Sequence, residues 1–170
     1  MKQRLKKGYK HLSKPLYLNA NLVYSEALNI IKKPNWKRKI KTGTLSKLQR
    51  EGYQLVTSIL TRMEVMQRLC REENKRTTEA RRIYQSVIEN NGIAEIVSID
   101  DKVILSNDFI DHLACSNLDF KDAIHLTIAK KLKIPLCTHD KKLRRDFSNH
   151  SDKTKFYDKV FKPQELLKPK

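Results

Sequence analysis

The chain has 170 residues, the length of one ordinary domain, and its 39% hydrophobic content is enough to bury a core without disulfides or a structural metal. It carries 36 Lys and Arg residues against 19 Asp and Glu residues, and this net charge of +17 exceeds what solubility requires, so we expect a polyanionic partner rather than a basic surface without a role. Because the basic residues are spread along the whole chain and neither a stretch of about 18 apolar residues nor a lipidation motif occurs, the sequence favours nucleic acid over a membrane.

We expect residues 1–170 to form a single domain whose first segment, residues 1–14, is a basic arm. This arm lacks the apolar stretch of a secretory signal. A short apolar run at residues 16–18 predicts the first strand, and apolar residues between positions 22 and 31 then recur at helical spacing. The first junction between a strand and a helix therefore falls at residues 19–21.

A strongly basic segment follows at residues 32–50, with eight Lys or Arg residues and both a proline and a glycine. This composition favours an exposed loop with a short helix after Thr44. A tryptophan followed by cations can stack an unpaired base while the cations hold phosphates, although packing of the loop explains the tryptophan equally well. The candidate RNA contacts in this segment are Trp36, Lys37, Arg38 and Lys39.

The rest of the chain alternates short apolar strands with one or two helices. The expected strands are residues 55–58, 94–98, 134–138 and 159–161. The expected helices are residues 59–69, 75–89, 100–115, 119–132 and a short helix that starts at 139–140. In the helix at 59–69, the apolar face is expected to carry Ile59, Met63, Met66 and Leu69. Strands separated by helices predict an α/β fold with parallel pairing, whose ligands gather beyond the carboxyl ends of the strands.

Acidic side chains occur at several of these junctions. Glu64 lies about a turn into its helix, Asp119 and Asp122 share a face at the start of theirs, and Asp140 follows the next strand. Helix capping explains an acid at a helix start, but it does not explain Glu64, where a lone carboxylate gains little from the helix dipole. A shared Mg²⁺ or Mn²⁺ explains all of them better, because such cations take oxygen ligands and can activate water for attack on a phosphodiester.

Other polar side chains near these acids have open roles. Four of them can orient metal-bound water or phosphate, or can equally well cap helices and form turns: Asn21, Thr57, Ser58 and Thr138. We do not expect His125 or His139 to bind the cation, since imidazole suits softer metals. No motif of a zinc peptidase, a P-loop enzyme or a serine hydrolase occurs.

Four stretches occur in a characteristic order: LYLNANLVYSEAL, TSILTRMEVMQRL, LDFKDAIHLTIAKKLKIPLCTHDKKL and KVFKPQELL. The third is the most specific, with an acid before AIHL, an alanine-bearing helix, an apolar strand and then THD. This series resembles the PIN-domain ribonucleases, and among them the VapC-like toxin nucleases, over roughly residues 15–167. The resemblance implies an α/β/α sandwich with a mostly parallel central sheet of about five strands.

The resemblance also implies a divalent-metal-dependent endoribonuclease that hydrolyses RNA phosphodiester bonds. The second, third and fourth acids of the family match Glu64, Asp122 and Asp140, with Asp119 as a neighbour that adjusts the electric field. The first acid is expected at position 19, where this chain has Asn19. An amide offers a metal one uncharged carbonyl oxygen, so this departure should weaken metal binding and water activation.

Two interpretations of Asn19 stay open. Either the change from aspartate was introduced to silence a nuclease harmful to its host, or the natural protein lost the acid and is a non-catalytic RNA-binding module. A DNA-directed nuclease of the flap-processing kind is less favoured, since its added helical arch and DNA-binding motif are missing from the sequence. The family likeness further implies the toxin of a toxin–antitoxin pair, with an antitoxin partner and a homodimer, or else an RNA-processing nuclease.

Two remaining features concern RNA and compartment. The cations after Asp140 are further candidate RNA contacts, namely Lys141, Lys142 and Arg144. The three cysteines, Cys70, Cys115 and Cys137, occur singly, as expected of small buried side chains in a reducing cytoplasm.

Overall fold

The computed structural model describes residues 14–33, 40–96, 100–114, 118–148 and 160–167. Its strands are β1 (Lys14–Leu18), β2 (Tyr53–Ser58), β3 (Ala94–Ile96), β4 (Leu136–Cys137) and β5 (Val160–Phe161). Its helices are α1 (Ala20–Ile30), α2 (Thr44–Arg50), α3 (Ile59–Glu72), α4 (Thr77–Asn90), α5 (Asp101–Ile104), α6 (Asn107–Ala114), α7 (Phe120–Leu132), α8 (Lys141–Ser148) and α9 (Pro163–Leu166).

The five strands form one parallel sheet in the order β3-β2-β1-β4-β5. The central strand β1 contains Pro15, which has no N–H to donate. It is tolerated there because β4 pairs only with Tyr17 and Leu18, so Pro15 lies beyond that ladder. The parallel sheet with helices on both sides confirms the predicted α/β/α sandwich.

Successive residues of the central strands point to opposite faces of the sheet, and each face has its own core. Leu16, Leu18 and Leu55 pack on one side with α1, α3 and α4. Tyr17 and Val56 pack on the other side with α6 and α7. Because both faces are covered, a binding site has to form at the ends of the strands.

The helix expected at residues 100–115 is in fact two helices, α5 and α6. Asp100 caps the first, with its Oδ1 accepting from the backbone N–H of Val103 at 3.2 Å. Ser106 then starts the second, since its Oγ accepts from the backbone N–H of Phe109 at 3.3 Å. A serine that can cap in this way competes with helix continuation, which explains the interruption.

The second half of the basic segment 32–50 packs against the body of the protein. Helix α2 buries Leu45 and Leu48, and the backbone N–H of Ile40 donates to Ser25 Oγ at 2.7 Å. This part of the segment is therefore not the exposed loop that its composition favours, although the short helix after Thr44 is present.

Several predictions concern residues outside the described ranges. They are the basic arm before residue 14, the cysteine Cys115, and the four candidate RNA contacts Trp36, Lys37, Arg38 and Lys39. The other two cysteines, Cys70 and Cys137, are free thiols. Among the residues that the structure does describe, no helix is both long enough and apolar enough to span a membrane.

Candidate active site

A cleft of about 910 Å³ opens beyond the carboxyl ends of β1, β2 and β4. It brings together all five side chains that the sequence singled out as catalytic or metal-binding candidates. They are Asn19, Glu64, Asp119, Asp122 and Asp140. They arrive from four different elements because parallel strands end at the same edge of the sheet.

Asn19 stands between β1 and α1 and is only 5% exposed. Its backbone N–H donates to the carbonyl of Cys137 at 3.0 Å, and its Oδ1 accepts from the backbone N–H of Asn21 at 3.1 Å, which caps α1. Only the amide oxygen can accept that bond, so the remaining polar group of Asn19 is the NH₂, a donor. The oxygen that the amide could offer to a metal is uncharged and already accepts one hydrogen bond. An aspartate would cap with one oxygen and keep the second.

Asp119 and Asp122 differ in their local roles. Asp119 is the N-cap of α7, with Oδ1 accepting from the backbone N–H of Asp122 at 2.9 Å, so helix capping does account for it. Burial, and after it the negative charges of Asp119, Asp140 and Glu64, together raise the pKa of Asp122 from 3.8 to about 7. The other three carboxylates of the cleft are therefore close enough for their charges to act on Asp122.

Asp140 is held by a small network between β1 and β4. Its Oδ1 caps α8 by accepting from the backbone N–H groups of Lys142 at 2.7 Å and Leu143 at 3.0 Å. Its own N–H donates to Thr138 Oγ1 at 3.0 Å, and the same oxygen accepts from Asn21 Nδ2 at 2.9 Å. Asn21 and Thr138 thus tie the junction after β1 to the junction after β4, which fixes the spacing across the cleft.

Glu64 is no cap, because it lies in the second turn of α3. Its side chain is 18% exposed, and its Oε1 is 2.8 Å from Nε2 of His125, a side chain that is only 1% exposed. His125 is not expected to bind the cation, and its contact with Glu64 was not predicted from the sequence. Its spacing, three residues after Asp122 on the same helix, puts those two side chains on one face but does not specify a contact with Glu64.

Basic side chains also line this cleft. Two of them, Lys141 and Lys142, were candidate RNA contacts, whereas the third candidate, Arg144, is half-buried and does not line the cleft. Arg68 and Lys121 line it as well and were not expected.

Arg68 is held in place by its neighbours. Its guanidinium lies 3.7 Å from the centroid of the Tyr24 ring, and its Nε donates to Glu72 Oε1 at 2.9 Å. Stacking and ion pairing together fix a guanidinium that would otherwise sample many rotamers. The wall of the acidic cleft therefore contains a pre-oriented cation.

The carboxylates of the cleft match a hard divalent cation in their chemistry. Glu64, Asp122 and Asp140 supply carboxylates, and a cation would relieve the repulsion that raises the pKa of Asp122. Within the described parts of the chain, however, no three His, Cys, Asp or Glu side chains stand close enough together to hold a metal ion. Cation binding therefore requires the carboxylates to draw together, and Asn19 adds an uncharged amide where a further acid would help.

A family model described as PIN domain matches residues 35–146, about two thirds of the chain. The matched segment contains Glu64, Asp122 and Asp140, and Asn19 lies before it. No curated protein matches the chain significantly. PIN domains are generally nucleases that act on RNA and use divalent metals. By this match, the chain belongs to the PIN domain family.

Proposed function

We propose that the cleft is the active site of an endoribonuclease that hydrolyses RNA phosphodiester bonds with Mg²⁺ or Mn²⁺, and that Asn19 weakens or abolishes cleavage by this chain. The observation that carries the proposal is the gathering of Glu64, Asp122 and Asp140 in one cleft, where burial, and after it the charges of neighbouring carboxylates, raise the pKa of Asp122 to about 7. A protein gains nothing in stability from such crowding, so a cationic ligand is its simplest explanation.

In this proposal Glu64, Asp122 and Asp140 hold the cation, and Asp119 adds negative charge beside Asp122 while it caps α7. A bound divalent cation supplies a water nucleophile at neutral pH and neutralises charge that builds on the phosphate. The chain itself provides the fixed spacing of the carboxylates, since Asp140 is held to α8 by its two backbone hydrogen bonds. Asn19 keeps the helix cap but lacks the charge of the family's first acid.

RNA also has to approach a cleft that contains four carboxylates. Cations at the rim offset the repulsion of the phosphate backbone, and here they are Arg68, Lys121, Lys141 and Lys142. We assign Arg68 the contact with a backbone phosphate nearest the acids, because its guanidinium is already oriented. Trp36, Lys37, Arg38, Lys39 and Arg144 stay predicted RNA contacts.

The biological setting is part of the proposal. The sequence resemblance supports a toxin of a toxin–antitoxin pair that is inhibited by an antitoxin protein, and an RNA-processing nuclease agrees with it equally well. A homodimer is supported by exposed apolar side chains such as Leu105, Ile110 and Phe120, which a second copy can cover. A cytoplasmic location is supported by the free thiols of Cys70 and Cys137.

A second candidate function is an RNA-binding module without cleavage. It is favoured by the uncharged amide of Asn19, and by the described carboxylates, which do not approach one another closely enough to hold a metal ion. In that case the basic rim binds RNA in a salt-sensitive way, and an acid at position 19 does not restore cleavage.

An RNA cleavage assay on mixed structured RNA separates the two functions. It compares three proteins: the unsubstituted parent chain, its Asn19→Asp variant, and the double variant Asn19→Asp/Asp122→Asn. Each is assayed with Mg²⁺, with Mn²⁺ and with EDTA, and DNA oligonucleotides of the same sequence test the choice of nucleic acid. We expect cation-dependent RNA cleavage by Asn19→Asp that the second substitution removes. RNA binding without cleavage by any of the three establishes the binding module instead.

A further inference from the structure

Four polar side chains form a buried line that runs from the centre of the sheet to the cleft. Ser58 Oγ lies 2.7 Å from the hydroxyl of Tyr17, and that hydroxyl lies 2.8 Å from Nδ1 of His125. Nε2 of His125 lies 2.8 Å from Oε1 of Glu64. Ser58, Tyr17 and His125 are each at most 1% exposed, so water does not compete for these hydrogen bonds.

The chemistry of these groups fixes the direction of the last bond. An ionised Glu64 can only accept, so Nε2 of His125 has to carry the proton that it shares with Oε1. If the imidazole is neutral, Nδ1 accepts from the hydroxyl of Tyr17, which in turn accepts from Ser58. Burial raises the pKa of Tyr17, so its hydroxyl keeps the proton that this arrangement needs. The line therefore selects the tautomer of His125 that donates to Glu64.

We propose that His125 is a positioning residue for Glu64: its Nε2–H fixes Oε1 and thereby leaves Oε2 as the oxygen that binds the cation. This inference rests on the proposed metal-dependent function of the cleft. A glutamate has several rotatable bonds, and beside Asp122 it is repelled by a like charge, so an unsupported Glu64 would turn away from the other carboxylates. Carboxylates that bind metals are commonly hydrogen-bonded in this way by a neighbouring group.

A different role for the same histidine is packing alone, in which His125 only fills the core under α7. Both roles predict that a bulk-changing substitution costs stability. Only positioning predicts that a donor restored at the place of Nε2 rescues cation binding.

The first readout is the tautomer of His125, measured by nitrogen-15 NMR in the metal-free chain. We expect the form protonated at Nε2 in the parent and also in Tyr17→Phe, because Glu64 is unchanged and still accepts only from Nε2. A parent protonated at Nδ1 overturns the inference, because Nε2 would then have no proton to donate to Glu64.

The second readout is Mn²⁺ affinity by calorimetry in the Asn19→Asp background, with folding checked by circular dichroism. Glutamine can place a donor near the position of Nε2, so His125→Gln is expected to bind within about threefold of its parent, whereas His125→Leu loses on the order of tenfold or more. Equal losses in the two variants overturn positioning. If the Asn19→Asp parent itself binds no Mn²⁺, the proposed function fails, and the tautomer alone decides whether His125 donates to Glu64.

Discussion

Asn19 Oδ1 accepts the backbone N–H of Asn21 at 3.1 Å, so the amide that replaces the family's first acid serves as the N-cap of α1. Aspartate caps a helix as well as asparagine does, so Asn19→Asp should preserve the start of α1. The new charge nevertheless adds to the repulsion among Glu64, Asp122 and Asp140. We expect the metal-free variant to be less stable than its parent at pH 8 by about 1 kcal/mol, and equally stable near pH 4, as measured by urea unfolding at both pH values.

A second prediction concerns the pH dependence of stability through Asp122. Its pKa is about 7 in the folded protein and 3.8 without that environment, so between these values the folded state binds the extra proton. This contribution to stability is present near pH 4 and is lost as the pH rises through 7. Asp122→Asn has no ionisable group at this position and so does not lose this stability as the pH rises. Its free energy of unfolding relative to the parent should therefore increase by a few kcal/mol between pH 4 and pH 8, the energy that corresponds to the pKa shift.

The matched control for that experiment is Asp111→Asn on α6, which removes an exposed carboxylate. Asp111 does not line the cleft, so this variant removes a carboxylate that lies outside the crowded site. If the stabilities of Asp122→Asn and Asp111→Asn in urea unfolding depend on pH in the same way, the pKa of Asp122 is not raised. The inferred crowding of carboxylates in the cleft would then be wrong.

A third prediction separates the two roles of Asp140, helix cap and carboxylate. Asp140→Asn keeps an oxygen for the N–H groups of Lys142 and Leu143, whereas Asp140→Ala removes the cap of α8. We expect the alanine variant to be less stable than the asparagine variant by about 1 kcal/mol. In the Asn19→Asp background both should lose Mn²⁺ affinity to a similar extent, because neither supplies the charge. A tightly binding asparagine variant would show that only the oxygen, and not the charge, of Asp140 matters.

A fourth prediction concerns RNA binding by Arg68. Arg68→Ala should weaken the binding of single-stranded RNA several-fold and reduce the slope of log K against log salt by about one phosphate contact. Arg68→Lys keeps the charge but loses the planar group that stacks on Tyr24, so it should recover only part of the affinity.

Arg81, an exposed arginine of α4 that does not line the cleft, is the matched control for Arg68. Arg81→Ala removes the same charge, and we expect it to leave RNA affinity nearly unchanged in fluorescence anisotropy titrations. Equal effects of Arg68→Ala and Arg81→Ala would mean that RNA senses only the overall positive charge.

The sheet and the gathering of the acids at one edge could be predicted because they depend on local patterns. Asn19 and Asp140 each follow an apolar strand, and parallel strands separated by helices bring such positions to the same edge. The capping of α7 by Asp119 likewise requires only neighbouring residues.

Contacts between distant elements could not be predicted in this way. Glu64 on α3 and His125 on α7 are 61 positions apart, and nothing in either segment specifies that the two helices meet at 2.8 Å. The orientation of Arg68 depends in the same way on Tyr24 of α1.

The apolar face expected for α3 was also wrong in part. Leu69 is buried as predicted, but Met63 is 63% exposed, and Thr61 and Val65 are the other buried residues of the helix. Hydrophobicity alone placed Met63 inside, but α3 packs against α1 and α4 along the side centred on Val65. A polar Thr61 on that side hid the true periodicity from the sequence pattern.

The proposed metal site is tested most directly by Mn²⁺ affinity, measured by isothermal titration calorimetry for the unsubstituted parent chain, for Asn19→Asp and for Gln164→Glu. Gln164 lines the same cleft, so its substitution adds the same charge there. Unlike Asn19, it lies within a helix and not between a strand and a helix. We predict that Asn19→Asp binds Mn²⁺ at least about tenfold more tightly than the parent, while Gln164→Glu changes the affinity little. Equal affinities for Asn19→Asp and Gln164→Glu would contradict a metal site completed at position 19.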